Sequence, residues 1–325
     1  MQTVDTVRGP LPVEDLGVTL MHEHILAKCR KDQYPLAVDY AVSELMRARR
    51  VGVNTIVEVS PPPLRNMDVI RAVAERTDVN IICCTGSYTI TDELREMSPA
   101  EYEDRLMAEI TDGIEGTGVK PGVIKVAGNH VPLNEVERKL FLVTGKVQKM
   151  TGLPVCCHTC TGARPQFDTL REGGADPTKL YFSHVGDNYY KPGWEGRTLL
   201  EQRDYLLKVA EEGGSLLFNN WSMEAHTPVF HMAFLIKELV RAGFARRVLL
   251  SEDHAYEFDE HGRVLIEHAN EYDPEKPETW GVRERLGYDH VIVAGIPSLI
   301  GLGLRPDVID TFMIENPRAM FTRSE

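Results

Sequence analysis

Short apolar runs alternate along the chain with longer amphipathic stretches. Many of the apolar runs are nearly continuous, such as VNIICC at positions 79–84, which is typical of strands buried on both faces in a parallel sheet. Several amphipathic stretches end at a glycine, as at Gly52, Gly152 and Gly213, which indicates helix termini. We predict strands at 18–24, 53–59, 79–85, 122–127, 153–158, 180–185, 215–219 and 247–253, and helices at 40–50, 67–76, 101–114, 134–151 and 199–212.

The order of these elements predicts a fold of the α/β class. Eight strand-then-helix units close into a (β/α)8 TIM barrel. An open, doubly wound sheet is the alternative, but no G-x-G-x-x-G turn follows a strand. No linker or short repeat divides the chain, so we expect one barrel domain over residues 1–325. The polar segment 254–287 is expected to form a long loop over the active-site face after the eighth strand, and 305–322 a closing helix.

Composition and charge narrow the class of partner. The 325 residues are 42% hydrophobic and 26% charged, as in globular proteins, with a net charge of -13 from 49 acids and 36 bases. Nucleic-acid binding relies on clustered basic residues, so we expect no nucleic-acid partner. No run approaches the roughly 20 apolar residues of a membrane span. The first residues, MQTVDT, lack the basic and apolar regions of a signal peptide, so we expect a cytoplasmic protein.

The six cysteines raise the question of disulfides or metal binding. Cys83 and Cys84 are adjacent, as are Cys156 and Cys157, inside apolar runs where a thiol is most simply a small buried hydrophobe. The stretch CHTC at 157–160 matches C-x-x-C, but neither a thioredoxin-like helix start nor a second C-x-x-C pair accompanies it. We therefore expect reduced, buried thiols.

Residues able to bind metals recur at the ends of the predicted strands. The first strand ends in His22-Glu23-His24, and alternation along a strand places both histidines on one face. In a barrel, the carboxyl ends of the strands form the active-site face. Convergence of several imidazoles and a carboxylate there predicts a metal centre. The candidate ligands are His22, His24, Lys125 in the fourth strand, His158, His184 and Asp253. A lysine in a buried strand is costly as an unpaired cation, and pairing with an acid is the simple alternative.

Several motifs together resemble the phosphotriesterase-like family of the amidohydrolase superfamily, which includes phosphotriesterase-related proteins and lactonases. They are LGVTLMHEH at 16–24, GVIKVA at 122–127, VCCH at 155–158, SHVGD at 183–187, LSED at 250–253, and ENP at 315–317 before Phe321. The resemblance implies two divalent metal ions, usually zinc, bridged by a hydroxide and by Lys125 carrying a CO2-derived carbamate. It places His22, His24 and Asp253 on a buried metal, and His158 and His184 on an exposed one.

The same resemblance implies a hydrolytic mechanism. The bridging hydroxide attacks a C=O or P=O group polarised by the exposed metal, and Asp253 takes the proton and later delivers it to the leaving group. CTGSY at 84–88 resembles the turn where lactonases of the family place a tyrosine near the substrate oxygen, which makes Tyr88 a candidate catalytic residue. A barrel-rim aromatic is the other interpretation of Tyr88. After the seventh strand, Asn219-Asn220-Trp221 replaces the Asp-Arg pair of the lactonase pattern.

The predicted strand-end loops are rich in hydrogen-bonding groups and poor in leucine and phenylalanine. A buried polar pocket favours substrates that supply matching polar groups. We therefore expect a lactonase acting on a small, polar, sugar-type lactone, with a phosphorylated substrate as one form. Phosphotriester or phosphodiester hydrolysis, amide hydrolysis and a non-catalytic binding role are the alternatives, and a homodimer is the assembly considered. The candidate substrate-binding residues are Asn129, Arg164, Asn188, Asn220 and Trp221.

Overall fold

A computed structural model describes residues 2–25, 30–159, 163–186, 198–222, 227–258, 261–262, 264–266 and 287–322. Its central feature is one sheet of eight parallel strands, each paired with the strand that precedes and follows it in the chain. The order confirms the predicted TIM-barrel α/β fold. The strands are β3 Val18–Glu23, β4 Val53–Glu58, β5 Asn80–Gly86, β6 Val123–Gly128, β7 Val155–Thr159, β8 Leu180–Ser183, β9 Ser215–Phe218 and β10 Val248–Leu250.

The barrel closes where β10 meets β3, and side chains take part in this seam. The backbone N–H of Asp253 donates to the carbonyl of His22 at 3.2 Å. The N–H of His22 donates to the Ser251 hydroxyl at 2.9 Å. The seam therefore lies directly beside the candidate ligands at the carboxyl ends of the first and last barrel strands.

Two predicted strands end more than one residue earlier than expected, and backbone conformation explains both. The sixth barrel strand ends at Ser183, because His184 adopts a left-handed conformation with φ 63°. The eighth ends at Leu250, and Asp253 beyond it has φ 66°. Extended strands cannot continue through such residues, so both candidate ligands lie in turns rather than inside strands.

Helices cover the outside of the barrel. They are α1 Tyr34–Arg50, α2 Met67–Glu75, α3 Asp92–Glu96, α4 Pro99–Asp112, α5 Glu135–Thr151, α6 Arg164–Glu172, α7 Leu199–Glu211, α8 Val229–Arg241, α9 Ile296–Gly301 and α10 Asn316–Phe321. Helix α1 begins earlier than predicted because Pro35 starts its first turn. Helices α6 and α8 were absent from the predicted ranges. The tail is helical from Pro306 to Phe321 through 3-10, π and α turns, close to the predicted closing helix.

Apolar side chains form two clusters, one on each face of the barrel strands. The outer cluster packs the strands against the helices and includes Leu20, Ile56 and Ile124. The inner cluster fills the barrel and includes Val57, Val123 and Leu249. Val4 of an N-terminal hairpin and Phe321 of α10 belong to the inner cluster, so these two elements close the end of the barrel opposite the candidate ligands.

Two short antiparallel strand pairs lie outside the eight-stranded sheet. The hairpin is β1 Thr3–Thr6 with β2 Gly9–Pro12, and a second antiparallel pair is β11 Tyr256–Phe258 with β12 Val264–Ile266.

Most of the predicted loop 254–287 lies outside the described residues. Cys83, Cys84, Cys156 and Cys157 are buried and free, as predicted. No helix in the described ranges is long and apolar enough to cross a membrane.

Candidate active site

Three candidate ligands lie close together beside the barrel seam. His22 and His24 come from the end of β3, and Asp253 follows β10. Asp253 Oδ1 lies 3.2 Å from His22 Nε2 and 3.1 Å from His24 Nε2. His22 and Asp253 are buried, and His24 keeps 16% of its side chain exposed. The pairing of β3 with β4 shifts register between Leu20 and Glu23, the segment that contains His22.

The histidines from β7 and from the turn after β8 join this group. The rings of His158 and His184 are in edge contact, with centroids 4.4 Å apart, and the ring of His184 lies 5.4 Å from that of His22. His184 Nε2 is 3.8 Å from Asp253 Oδ2. Ligand atoms of His22, His184 and Asp253 all lie within 4.8 Å of one another. The structure thus brings together residues that are far apart in sequence.

Lys125 reaches the same point from β6. Its side chain is fully buried, and Nζ lies 3.4 Å from His22 Nε2 and 3.6 Å from Cys156 Sγ. Among the residues that the structure describes, no carboxylate oxygen forms an ion pair with this amine within 4.0 Å. The simple alternative from the sequence, a lysine paired with a nearby acid, therefore has no support in the described ranges.

Burial sets the protonation states of the imidazoles. Desolvation, followed by the charge of Lys125, holds the pKa of His22 well below its ordinary value. Desolvation and the neighbouring His184 do the same for the pKa of His158. A neutral imidazole offers a lone pair, which is the form that binds metal ions. The donor set of nitrogens and a carboxylate, together with these neutral rings, fits divalent metal ions.

Polar neighbours hold two of the histidine rings in place. The hydroxyl of Ser60, just beyond β4, lies 2.7 Å from His24 Nδ1. The amide nitrogens of Asn219 and Asn220 each lie 3.1 Å from His184 Nδ1, and Asn219 Oδ1 accepts from the backbone N–H of His184 at 2.7 Å. In both cases the Nε2 atom faces Asp253. Such outer contacts orient metal-binding imidazoles.

The candidate catalytic and substrate residues differ in their placement. Tyr88 is half-buried, and its ring is 4.9 Å from that of His158 and 5.9 Å from Lys125 Nζ. Asn220 is buried against His184, while Asn129 is exposed beyond β6. Trp221 is 1% exposed, and its indole N–H donates to the carbonyl of Phe218. It therefore presents almost no surface to solvent.

Two further candidate residues do not join the group. The Arg164 guanidinium pairs with Asp168 at 2.9 Å and also with Glu212, both on the helical layer. Asn188 lies outside the described residues. For substrate contacts, the structure therefore brings Tyr88 and Asn220 closest to the six candidate ligands.

The comparisons with known proteins agree with this geometry. The sequence matches the model of the Phosphotriesterase family over residues 2–321. The chain belongs to this family. It is 27% identical to a "Phosphotriesterase homology protein" of Mycobacterium tuberculosis over 346 aligned residues, which cover 99% of this chain and 98% of that protein.

Two other members of the phosphotriesterase family are named as hydrolases. An aryldialkylphosphatase of Saccharolobus solfataricus is 26% identical, with 95% of this chain and 96% of that protein aligned. The human N-acetyltaurine hydrolase is 30% identical, with 86% of this chain and 76% of that protein aligned. Family membership and the cluster of His and Asp ligand atoms identify the chain as a metal-dependent hydrolase.

Sequence reasoning missed the residues that support the ligands. Glu58 is the last residue of β4 and Ser60 lies two positions beyond it, and Glu58 Oε1 accepts from the N–H of Ser60 at 2.7 Å. Its other oxygen accepts from the N–H of Ile25, just after His24. A polar pair at the carboxyl end of an apolar strand was the available signal, but the sequence alone does not show which ligand it would contact.

Proposed function

We propose that the six candidate ligands hold two divalent metal ions, that these ions are zinc, as the family resemblance implies, and that a carboxylated Lys125 would be a ligand shared by both. His22, His24 and Asp253 would hold one ion, and His158 and His184 the other. The observation that supports this proposal is the convergence of the Nε2 atoms of His22, His24 and His184 on the Asp253 carboxylate, at 3.2, 3.1 and 3.8 Å, at the carboxyl end of the barrel.

The surroundings of Lys125 support its role as a carbamate. A buried ammonium beside His22 and Cys156, without an ion-pair partner in the described ranges, would be unfavourable. Reaction of the neutral amine with CO2 forms an N–C bond and releases a proton, which converts the side chain into an anionic ligand. The change removes the buried positive charge and supplies two oxygens to the site.

The chemistry is hydrolysis with proton transfer by Asp253. When bound, divalent ions polarise the substrate carbonyl and lower the pKa of water. The Asp253 carboxylate accepts the proton of the attacking water and returns it to the leaving-group oxygen. We propose that the Tyr88 hydroxyl donates to the substrate carbonyl oxygen, and the contact of its ring with that of His158, at 4.9 Å between centroids, supports this role. Asn220 fixes His184 and adds a polar group to the wall.

We assign the substrate class as a small, polar, sugar-type lactone. Support comes from the polar groups at the strand ends, among which Asn220 is buried. A substrate without matching hydroxyls would leave buried polar groups unpaired. A phosphorylated lactone has less support, because Arg164 is already paired with Asp168 and Glu212.

Amide hydrolysis is the second candidate, and the human N-acetyltaurine hydrolase favours it as a relative at 30% identity. Phosphotriester hydrolysis has the aryldialkylphosphatase in its favour. All three reactions would use the same ligands and the same proton transfer. They differ in the atom attacked, carbon or phosphorus, and in the leaving group, so a comparison of substrates separates them.

The test is a comparison of kcat/KM for metal-loaded protein on four substrates: a sugar lactone, an alkyl-chain lactone, an N-acetyl amino sulfonate and an aryl phosphotriester. We expect the sugar lactone to exceed each of the others at least tenfold. Asp253→Asn is the control for each reaction, because its activity should fall to background. A tenfold preference for an apolar substrate would contradict the polar-pocket argument, and a preference for the amide would establish the second candidate.

We also propose that the chain forms one barrel domain over residues 1–325, that it works in the cytoplasm, and that it can form a homodimer. The family match over residues 2–321 supports the first proposal. Free, buried cysteines are consistent with a reducing compartment and support the second. Sedimentation analysis of the purified protein would test the third.

A further inference from the structure

Glu23 lies between two candidate ligands in sequence but makes its contacts on the other side of the barrel seam. Its side chain is fully buried at the end of β3. Oε1 accepts from the Ser251 hydroxyl and from the backbone N–H of Glu252, both at 2.7 Å. Oε2 accepts from the backbone N–H of His254 at 2.8 Å. One carboxyl group therefore binds three donors of the segment after β10.

The two backbone donors are the residues on either side of Asp253. Glu23 thus holds the peptide groups before and after this ligand. The backbone N–H of Asp253 itself donates to the carbonyl of His22 at 3.2 Å. Three successive N–H groups, those of Glu252, Asp253 and His254, are therefore fixed by the segment that contains His22 and Glu23.

The backbone conformation of Asp253 indicates what these contacts stabilise. Asp253 has φ 66°, a left-handed conformation that is uncommon for residues other than glycine and that the contacts on both sides of it stabilise. In this conformation its carboxylate reaches both His22 and His24. Relaxation of the turn to an ordinary conformation would redirect the side chain and separate the ligands.

We propose that Glu23 is a positioning residue that holds Asp253 in ligand geometry by fixing the backbone on both sides of it. The inference rests on the proposed role of Asp253 as a metal ligand. It assigns a function to the residue between the two histidines, whose carboxyl group accepts from the Ser251 hydroxyl and from two backbone N–H groups. The same contacts also join β3 to β10, so the test must separate ligand geometry from barrel closure.

The test variant is Glu23→Gln, which keeps the shape of the side chain. A glutamine has one acceptor oxygen, whereas Glu23 uses both of its oxygens as acceptors. The amide NH2 must then face either the N–H of Glu252 or that of His254. The measurement is equilibrium binding of Co2+ to metal-free protein, together with the visible absorption of the bound Co2+.

Two reference variants separate the explanations. Glu137→Gln is the matched control, because Glu137 is also buried and accepts from two backbone N–H groups, those of Asn129 at 2.7 Å and Asn134 at 3.0 Å. It should lower the unfolding midpoint but leave Co2+ affinity within about threefold of wild type. Asp253→Asn removes the ligand itself and shows what loss of that ligand does.

We expect Glu23→Gln to weaken binding of one of the two Co2+ ions by about tenfold to a hundredfold, the usual range for residues that orient ligands. The absorption of that ion should change in the direction seen for Asp253→Asn. Unchanged affinity and spectrum, with only a lower unfolding midpoint as in Glu137→Gln, would overturn the inference and leave Glu23 a purely structural residue.

Two further outcomes are decisive. If Glu23→Gln does not fold, Glu23→Asp decides: it keeps both acceptor oxygens but withdraws them by one methylene from the N–H groups on either side of Asp253, so it should weaken the same ion about threefold to tenfold, and no change would overturn the inference. If Asp253→Asn binds both ions like wild type, the ligand assignment fails and the inference fails with it. Loss of an ion in Asp253→Asn but not in Glu23→Gln contradicts the inference alone.

Discussion

At the scale of single residues, burial determines the chemistry of the site. The rings of His22 and His158 are buried and their pKa values lie well below the ordinary value, so both remain neutral near neutral pH. Burial shifts the pKa of Glu23 upward, but hydrogen bonds from Ser251 and two backbone N–H groups oppose the shift and favour the carboxylate form that accepts all three. The neutral imidazoles of His22 and His158, together with the Asp253 carboxylate, are suitable ligands for a divalent cation.

Lys125 provides the first prediction at this scale. Lys125→Ala should lose nearly all activity and at least one metal ion, because the proposed bridge is absent. Adding a short carboxylic acid such as propionate should restore part of the activity by replacing the lost carboxylate. The measurement is kcat and metal content with and without the acid.

Asp253→Ala serves as the control for this rescue. It also removes a carboxylate from the site, but not the one that the added acid is expected to replace. It should respond less to the added acid than Lys125→Ala. A Lys125→Ala variant with full metal content and full activity would show that the lysine has no role in the site.

Ser60 provides the second residue-scale prediction. Its hydroxyl, 2.7 Å from His24 Nδ1, can accept the ring N–H and leave Nε2 directed at the metal position. Ser60→Ala should weaken metal binding about tenfold. Thr55→Val is the matched control, because the hydroxyl of Thr55 is also buried in β4 but donates to the carbonyl of Leu16.

Both variants remove one buried hydroxyl and should cost about 1 kcal/mol of unfolding free energy. Metal affinity, measured by competition with a chelator, should fall only in Ser60→Ala. Equal affinities in the two variants would mean that Ser60 stabilises the fold without orienting His24.

At the scale of elements, the barrel separates stability from chemistry at its two ends. The candidate ligands lie at the carboxyl ends of the strands, and the opposite end is closed by the N-terminal hairpin and α10. Lys179, which is 6% exposed before β8, donates to the carbonyls of Ala319 at 2.8 Å and Met320 at 3.1 Å. It also donates to the carbonyl of Thr322. One amine thus satisfies three carbonyls at the end of α10.

Lys179→Met should therefore destabilise the protein without affecting the site. It leaves those carbonyls without their charged donor, and we expect a loss of about 2 kcal/mol, the usual range for a hydrogen bond to a charged group. Urea unfolding measures the loss. Lys149→Met, at an exposed position of α5, should change the free energy of unfolding by less than about 0.5 kcal/mol. Similar values for both variants would show that Lys179 does not anchor α10.

For the whole molecule, the sequence alone was sufficient to predict the barrel and its active end. Continuous apolar runs such as the one around Cys83 predicted buried parallel strands, and their number predicted closure. The strand-end histidines then had to meet, because parallel strands share one carboxyl edge. The turns at His184 and Asp253 were not predictable, because left-handed conformations there depend on contacts with other strands.

Contacts across the seam were also beyond the sequence. The role of Ser251 requires knowing that the last barrel strand lies beside the first, and its hydroxyl accepts from the N–H of His22, 229 positions away. Trp221 illustrates the opposite difficulty. Its position in a polar loop after a strand suggested a substrate contact, but its packing against Gly295 and its 1% exposure depend on the C-terminal helices.

Metal binding should also stabilise the whole molecule. Ions that bind only the folded protein raise the free energy of unfolding by about 2.7 kcal/mol when the free metal is about 100 times its dissociation constant. The proposed ligands come from β3, β6 and β7 and from the segments after β8 and β10. An unfolded chain therefore cannot reproduce the site. Urea unfolding of chelator-treated protein, with and without added Zn2+, measures the difference. Asp253→Asn should lose much of the stabilisation, while Lys149→Met should retain it; a wild-type midpoint that ignores Zn2+ would contradict the metal centre.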